Sequence, residues 1–241
     1  MTGRRVWWIT GGVVAVVAAG AIGGPLVYAA LEEDAAPART VQVQPDAATS
    51  SGSAPSSGAP TSAVAPTPDV AALDGTWTIA ADSSAGYRVD EVLNGADVTV
   101  AGTTDQVTGS VVITGGDLAD ADVTVDVASI TTDTARRDGY FQDNVMDVAT
   151  NPTAVFSVTE TADLPELTGT PVTVPVTGEL TLAGVTRPVQ TEISAVRTAD
   201  GVDVSGAVPV LFGDYGIEAP NLGFVRVDDQ GQVEFFLHLT E

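Results

Sequence analysis

The sequence predicts an all-β domain, an antiparallel sandwich or a closed barrel, and three observations carry that expectation. From Asp74 to Glu241 apolar residues recur at every second position, the period of a strand with one buried face. Clusters such as Thr114-Gly115-Gly116-Asp117 interrupt the alternation at short intervals, as hairpin turns do. The same-sided alternation recurs in about eight to ten segments, so their apolar faces share one interior.

The segments follow in order. TWTIA (76–80) opens the domain, and AGYRVDEVL places Tyr87, Val89 and Leu93 on one face with Arg88 and Asp90 on the other. DVTV, VTGSVVI and ADVTVDVASI come next, the last alternating Val123, Val125 and Val127 with Thr124 and Asp126. TAVFSVTET (153–161) is a strand, and VTGELTL turns at Ala183-Gly184 into VTRPVQTEISAV. VDVSGAVPVLF keeps Val202, Val204, Val208, Val210 and Phe212 on one side. The closing QVEFFLHLT puts Val233, Phe235, Leu237 and Leu239 inward and Glu234, Phe236, His238 and Thr240 outward.

Only Ser129 to Pro152 breaks the pattern. SITTDTARRDGYFQDNVMDVATNP holds Arg136 and Arg137 side by side in a chain without lysine, and it reads as a segment that crosses the barrel as a lid or plug. A guanidinium at the edge of an apolar cavity can hold a phosphate or polar head group bidentately. It can equally pair with Asp138, Asp143 or Asp147 and pin the segment to the barrel. Tyr140, Phe141 and Met146 are apolar enough to face inward, as core or as the wall of a ligand cavity.

Ahead of the domain, Arg4 and Arg5 precede 26 uncharged residues, Val6 to Leu31, which Glu32, Glu33 and Asp34 end. About 20 apolar residues span a bilayer as a helix. Trp7 and Trp8 suit the interface, and the arginines orient the N-terminus toward the cytoplasm. Residues 1–31 therefore read as a membrane anchor or as a signal sequence cleaved after Ala29, and both place the domain outside the cytoplasm. Residues 32–73, rich in Ala, Pro, Ser and Thr, read as a disordered linker with a reach on the order of 35 Å.

Composition excludes much. Nine arginines against 32 acids leave a net charge of −23, a surface that repels nucleic acid. The chain has no cysteine and one histidine, so disulfides, thiolate sites and multi-histidine metal centres are excluded. His238 is expected on the solvent face of the last strand, far from any nucleophile motif. Acids are too numerous for any carboxylate pair to stand out, and no glycine run has phosphate-loop or dinucleotide spacing. No catalytic residue, cofactor or metal is expected, and the domain is not read as an enzyme.

Six pieces in order, GTWTI, DVTVDVASITTDTARRD, DVATNPTAVFSVTE, GELTLAGVTRPV, VPVLFGDYGIEAP and VEFFLHLT, resemble the YceI-like family of lipocalin-like, polyisoprenoid-binding proteins across 74–241. The resemblance implies an extended antiparallel lipocalin-like β-barrel with a short helical crossing segment. It also implies an exported protein with a hydrophobic tunnel for an isoprenoid or similar long apolar lipid. Where family members often carry a His-Ser-x-x-x-Phe-x-x-x-His pattern, this chain has Asp82-Ser83-Ser84-Ala85-Gly86-Tyr87-Arg88-Val89-Asp90-Glu91 and no histidine. The residues expected to face the ligand are Tyr87, Val89, Leu93, Val125, Phe141, Met146, Phe156, Leu180, Phe212, Phe235 and Leu237, with Arg137 at a head group. The alternative is a cell-surface interaction domain with a solid core, for which Phe236 would belong to an exposed apolar patch.

Overall fold

The computed structural model describes residues 34–43 and 73–241. The uncharged run 6–31, with its expected anchor or signal, and most of the expected linker lie outside the described residues. Among the described residues no helix is long and apolar enough to cross a membrane.

Among the described residues eleven strands form one antiparallel sheet. They are β1 (Gly75–Ile79), β2 (Ser84–Leu93), β3 (Ala96–Thr104), β4 (Val107–Thr114), β5 (Asp117–Asp126) and β6 (Thr153–Val158). The two-residue β7 (Ala162–Asp163), β8 (Val172–Leu182), β9 (Val185–Arg197), β10 (Val202–Leu211) and β11 (Val225–Thr240) complete them. Eight of these close a ring in the order β1-β4-β5-β6-β8-β9-β10-β11, because β11 returns to β1 through Thr78↔Thr240 and Ile79↔Leu239. The expected barrel is therefore present, and closure removes the free edges that an open sheet would expose.

Three of the turns have the chemistry that two-residue hairpins need. Asn94-Gly95, Gly115-Gly116 and Ala183-Gly184 all have positive φ at both positions, the signature of a turn whose twist matches its strands.

β11 has 16 residues, enough to serve two neighbours in succession: its end pairs with β1, and its earlier part pairs with β2 from Val225↔Leu93 to Phe236↔Ser84. At that upper end β2 and β3 extend the sheet beyond the ring. The outer edge of β3 is then met by the crossing segment, where Thr103 and Thr131 exchange both backbone N–H···O bonds, at 2.9 and 3.0 Å.

The crossing segment runs from the end of β5 to the start of β6. It contains a 3₁₀ turn (Val127–Ser129), the helix α1 (Ala135–Tyr140) and a π-helical turn (Phe141–Val145). A six-residue helix has little stability of its own, so tertiary contacts must hold it. Asp138 Oδ1 accepts from the Thr132 N–H and hydroxyl at 2.8 and 2.7 Å, and Gln142 Nε2 donates to Ala128 O at 2.9 Å. Met146 is buried with Val127 and Ile130.

Residues 34–43, expected to belong to a disordered linker, instead lie along the outer face of the barrel. Asp34 Oδ1 accepts from Thr99 N–H at 3.0 Å, and Arg88 Nη2 donates to Ala36 O at 2.7 Å. Arg39 Nη1 donates to Asp82 O at 2.8 Å while its guanidinium sits 3.5 Å over the Phe236 ring. Val41 donates its N–H to Ser205 Oγ at 3.1 Å and is buried with Val196 and Phe236. One valine and one arginine stem, placed on an apolar ring, supply what the composition of the whole stretch lacks. Phe236 is accordingly 5% exposed, so the apolar patch expected around it is covered by the protein's own chain.

Candidate functional site

Two apolar cavities lie inside the barrel, the upper about 160 Å³ and the lower about 120 Å³. Ala85, Val125, Ala154 and Val233 line both, so the two are neighbouring parts of one interior.

The way the aromatic side chains pack helps to explain why space remains. Tyr87 faces Gly102 across the β2–β3 ladder, and Phe235 faces Gly206 across β11–β10. A Cβ added at Gly102 would stand 2.6 Å from Tyr87 Cε1, and one added at Gly206 would stand 2.7 Å from Phe235 Cζ. Phe156 covers the inward position of Gly178 in the same way, with Cζ 2.7 Å from where a Cβ would be. Each ring lies over a glycine of the sheet, which a side chain there would forbid.

The expected ligand-facing residues fall into two groups. Tyr87, Val89, Val125, Phe141, Met146 and Phe212 line the upper cavity, and Arg137 joins them at its edge. Phe156, Leu180, Phe235 and Leu237 line the lower cavity, together with Val125. Leu93 lines neither; it is buried with Val98 and Val100 near the β2–β3 turn, where the strand pair closes on itself.

The lid covers the upper cavity. Phe141 stacks on Tyr87 with ring centroids 4.7 Å apart and planes inclined by 24°. Burial pushes the Tyr87 hydroxyl up to about 12, although the Arg137 charge beside it acts in the opposite direction. Tyr87 is therefore neutral across the ordinary pH range, as an apolar wall requires.

Arg137 turns inward from the lid and Arg136 is exposed. The acids nearest Arg137 are not the three expected from the sequence. Its Nη1 contacts Asp133 Oδ1, one helical turn earlier, and its Nη2 lies 3.7 Å from Glu91 Oε1. Asp138 is engaged instead with Thr132. Glu91 is 6% exposed and lines the upper cavity, a role that sequence reasoning missed. The signal was present, since Glu91 shares the parity of Tyr87, Val89 and Leu93 on β2. The result is a charged pair, Arg137 and Glu91, at the edge of a largely apolar space.

His238 is not solvent-exposed as expected. Its side chain is 12% exposed, with Nδ1 2.5 Å from Asp203 Oδ1 and Nε2 3.7 Å from Asp200 Oδ2. The hydrogen bond to Asp203 raises its pKa above the usual imidazole value, while partial burial opposes that shift. Its backbone N–H donates to Ser83 Oγ at 2.9 Å, and among the described residues no group of three or more His, Asp or Glu side chains is placed to hold a metal ion.

The YceI-like domain family model matches residues 77–239. Among solved structures, the chain is similar to a polyisoprenoid binding domain from Saccharophagus degradans implicated in plant cell wall breakdown. That likeness has a TM-score of 0.54 and 20% identity, covering 68% of this chain and 97% of that one. Burkholderia cenocepacia BcnA is similar at a TM-score of 0.53 and 20% identity, covering 72% of this chain and 99% of that one. No curated protein matches the sequence. At these identities the structural likenesses establish the fold.

Proposed function

The chain belongs to the YceI-like domain family, and from that premise we propose that it is a binding module which holds an isoprenoid or similarly long apolar lipid along the barrel interior. The observation that carries the proposal is the pair of carbon-lined cavities sharing Ala85, Val125, Ala154 and Val233. Protein interiors ordinarily leave few spaces larger than a water molecule. At about 24 cal/mol per Å³, a cavity of about 160 Å³ costs roughly 4 kcal/mol. That is a large share of the 5–15 kcal/mol by which a typical domain is stable. An apolar chain offsets the cost by filling the space.

Burial alone supplies affinity, at about 0.8 kcal/mol for each methylene removed from water. This fits a site whose lining is largely apolar. The polyisoprenoid-binding description of the Saccharophagus domain, which shares the fold, supports the same ligand class here. Arg137 is the proposed contact for a polar head group, at the edge of the upper cavity. The domain is proposed to act outside the cytoplasm, on the basis of the uncharged run between Arg5 and Glu32.

Titration of the full chain with diphenylhexatriene, a rod-shaped polyene that fluoresces when removed from water, tests the proposal. Saturable fluorescence is expected, and Ala85→Phe, at the wall common to both cavities, should reduce it severalfold. No saturable signal, or a signal indifferent to that substitution in a folded protein, contradicts it.

A further inference from the structure

The upper end of the barrel carries a second feature that the binding function does not use. Leu222 and Phe224 are 48% and 46% exposed, in the tight loop that enters β11. Phe224 O accepts from Asn94 N–H at 2.7 Å, so this loop and the Asn94-Gly95 hairpin tip form one rim. Pro220 and Tyr140, which line the upper cavity, place that rim beside its mouth, and Tyr140 is itself exposed.

The upstream segment approaches the barrel from the same end. Asp34 is fixed at Thr99, Ala36 at Arg88 and Arg39 at Asp82, so the strap runs down β2, away from the hairpin tip. Only residues 32 and 33 separate Asp34 from Leu31, the last residue of the uncharged run. Three residue steps span at most about 10 Å of extended chain.

We propose that the rim formed by Leu222, Phe224 and the Asn94-Gly95 turn rests on a lipid surface, with the mouth of the upper cavity opening toward it. This rests on the lipid-binding reading and on residues 6–31 acting as an anchor. It deepens that reading by stating how lipid reaches the cavity: directly from the bilayer, without crossing water. The exposed charges near the rim are Asp97, Glu218, Asp228 and Asp229 against Arg226. Four acids and one arginine favour zwitterionic over anionic lipid at low ionic strength.

The chain has no cysteine, so single probe sites are straightforward to introduce. Leu222→Cys, Phe224→Cys and, at the opposite end, the exposed Thr114→Cys are labelled with an environment-sensitive fluorophore in the full chain. The labelled protein is then reconstituted into phosphatidylcholine vesicles with or without brominated acyl chains. The probes at 222 and 224 should be quenched about twofold, as expected for side chains inserted at an interface, and the probe at 114 should be unaffected. Adding anionic lipid should weaken the quenching at low salt.

Equal behaviour of all three probes overturns the proposal. So does a rim probe that is shielded only by crosslinking to a second copy of the chain. Lipid extracted from the same preparations is measured separately. A barrel that carries lipid while its rim is unquenched overturns the surface contact and leaves the binding function standing.

Discussion

Arg137 Nη2 stands 3.7 Å from Glu91 Oε1, so the lid is joined to the inner face of β2 by a charged pair set in an apolar wall. Glu91 is removed from water, and Arg137 is one of the groups that compensate its charge there. Arg137→Ala should destabilise the protein by about 3 kcal/mol, read from urea unfolding. Replacing both partners, as Glu91→Leu with Arg137→Met, should recover most of that loss. A single substitution with no effect on stability contradicts the pairing.

The glycines beneath the aromatic rings should behave as determinants of cavity size. Gly206→Ala places a Cβ 2.7 Å from Phe235 Cζ, and the ring must move off the wall. A cost of about 1–3 kcal/mol is expected, together with weaker diphenylhexatriene binding. Adding Phe235→Leu should restore both. Unchanged binding in Gly206→Ala speaks against the proposed part of these glycines in keeping the interior open.

The strap should come loose without unfolding the barrel. Val41→Ser removes the apolar contact with Val196 and Phe236, at a cost of about 1 kcal/mol. Hydrogen exchange should then lose protection at the Val41 N–H, whose acceptor is Ser205 Oγ, while β10 and β11 stay protected. Equal loss of protection in the strap and in β10 would show that the strap is part of the cooperative core.

The imidazole of His238 gives a pH dependence with a definite sign. Its folded pKa is raised, first by the hydrogen bond to Asp203, so the charged form is favoured by folding. The contribution is fully present below about 6.5, the unfolded value, and is lost as pH rises through the raised folded value. The stability difference between the wild type and His238→Gln should shrink over that interval. As the chain has one histidine, its proton resonances report the titration without assignment. A midpoint at or below the usual imidazole value contradicts the Asp203 contact.

Much of the barrel was legible because period-two alternation and turn chemistry are local. Val202, Val204 and Val208 do share one buried side, and the turns at Gly115-Gly116 and Ala183-Gly184 fall where expected. Ser129 to Pro152 was legible as a crossing segment because it lacks that alternation. The contacts that complete the site join positions far apart in the chain. Val41 finds Phe236, Tyr87 covers Gly102, and Arg137 reaches Glu91, and only the last could be suspected from parity along one strand. Composition alone made 34–43 look unable to order, since the apolar surface it lies on belongs to β9 and β11. Leu93 followed the alternation yet closes the strand end, because alternation reports a face and does not report depth along it.

The proposed function requires an apolar lipid in the barrel interior. Native mass spectrometry of the full chain purified in mild detergent, followed by organic extraction of the same sample, tests it most directly. A bound species is expected that adds the mass of one long apolar lipid, is recovered in the extract, and is depleted in Ala85→Phe. A folded protein with the mass of the polypeptide alone and no lipid in the extract contradicts it.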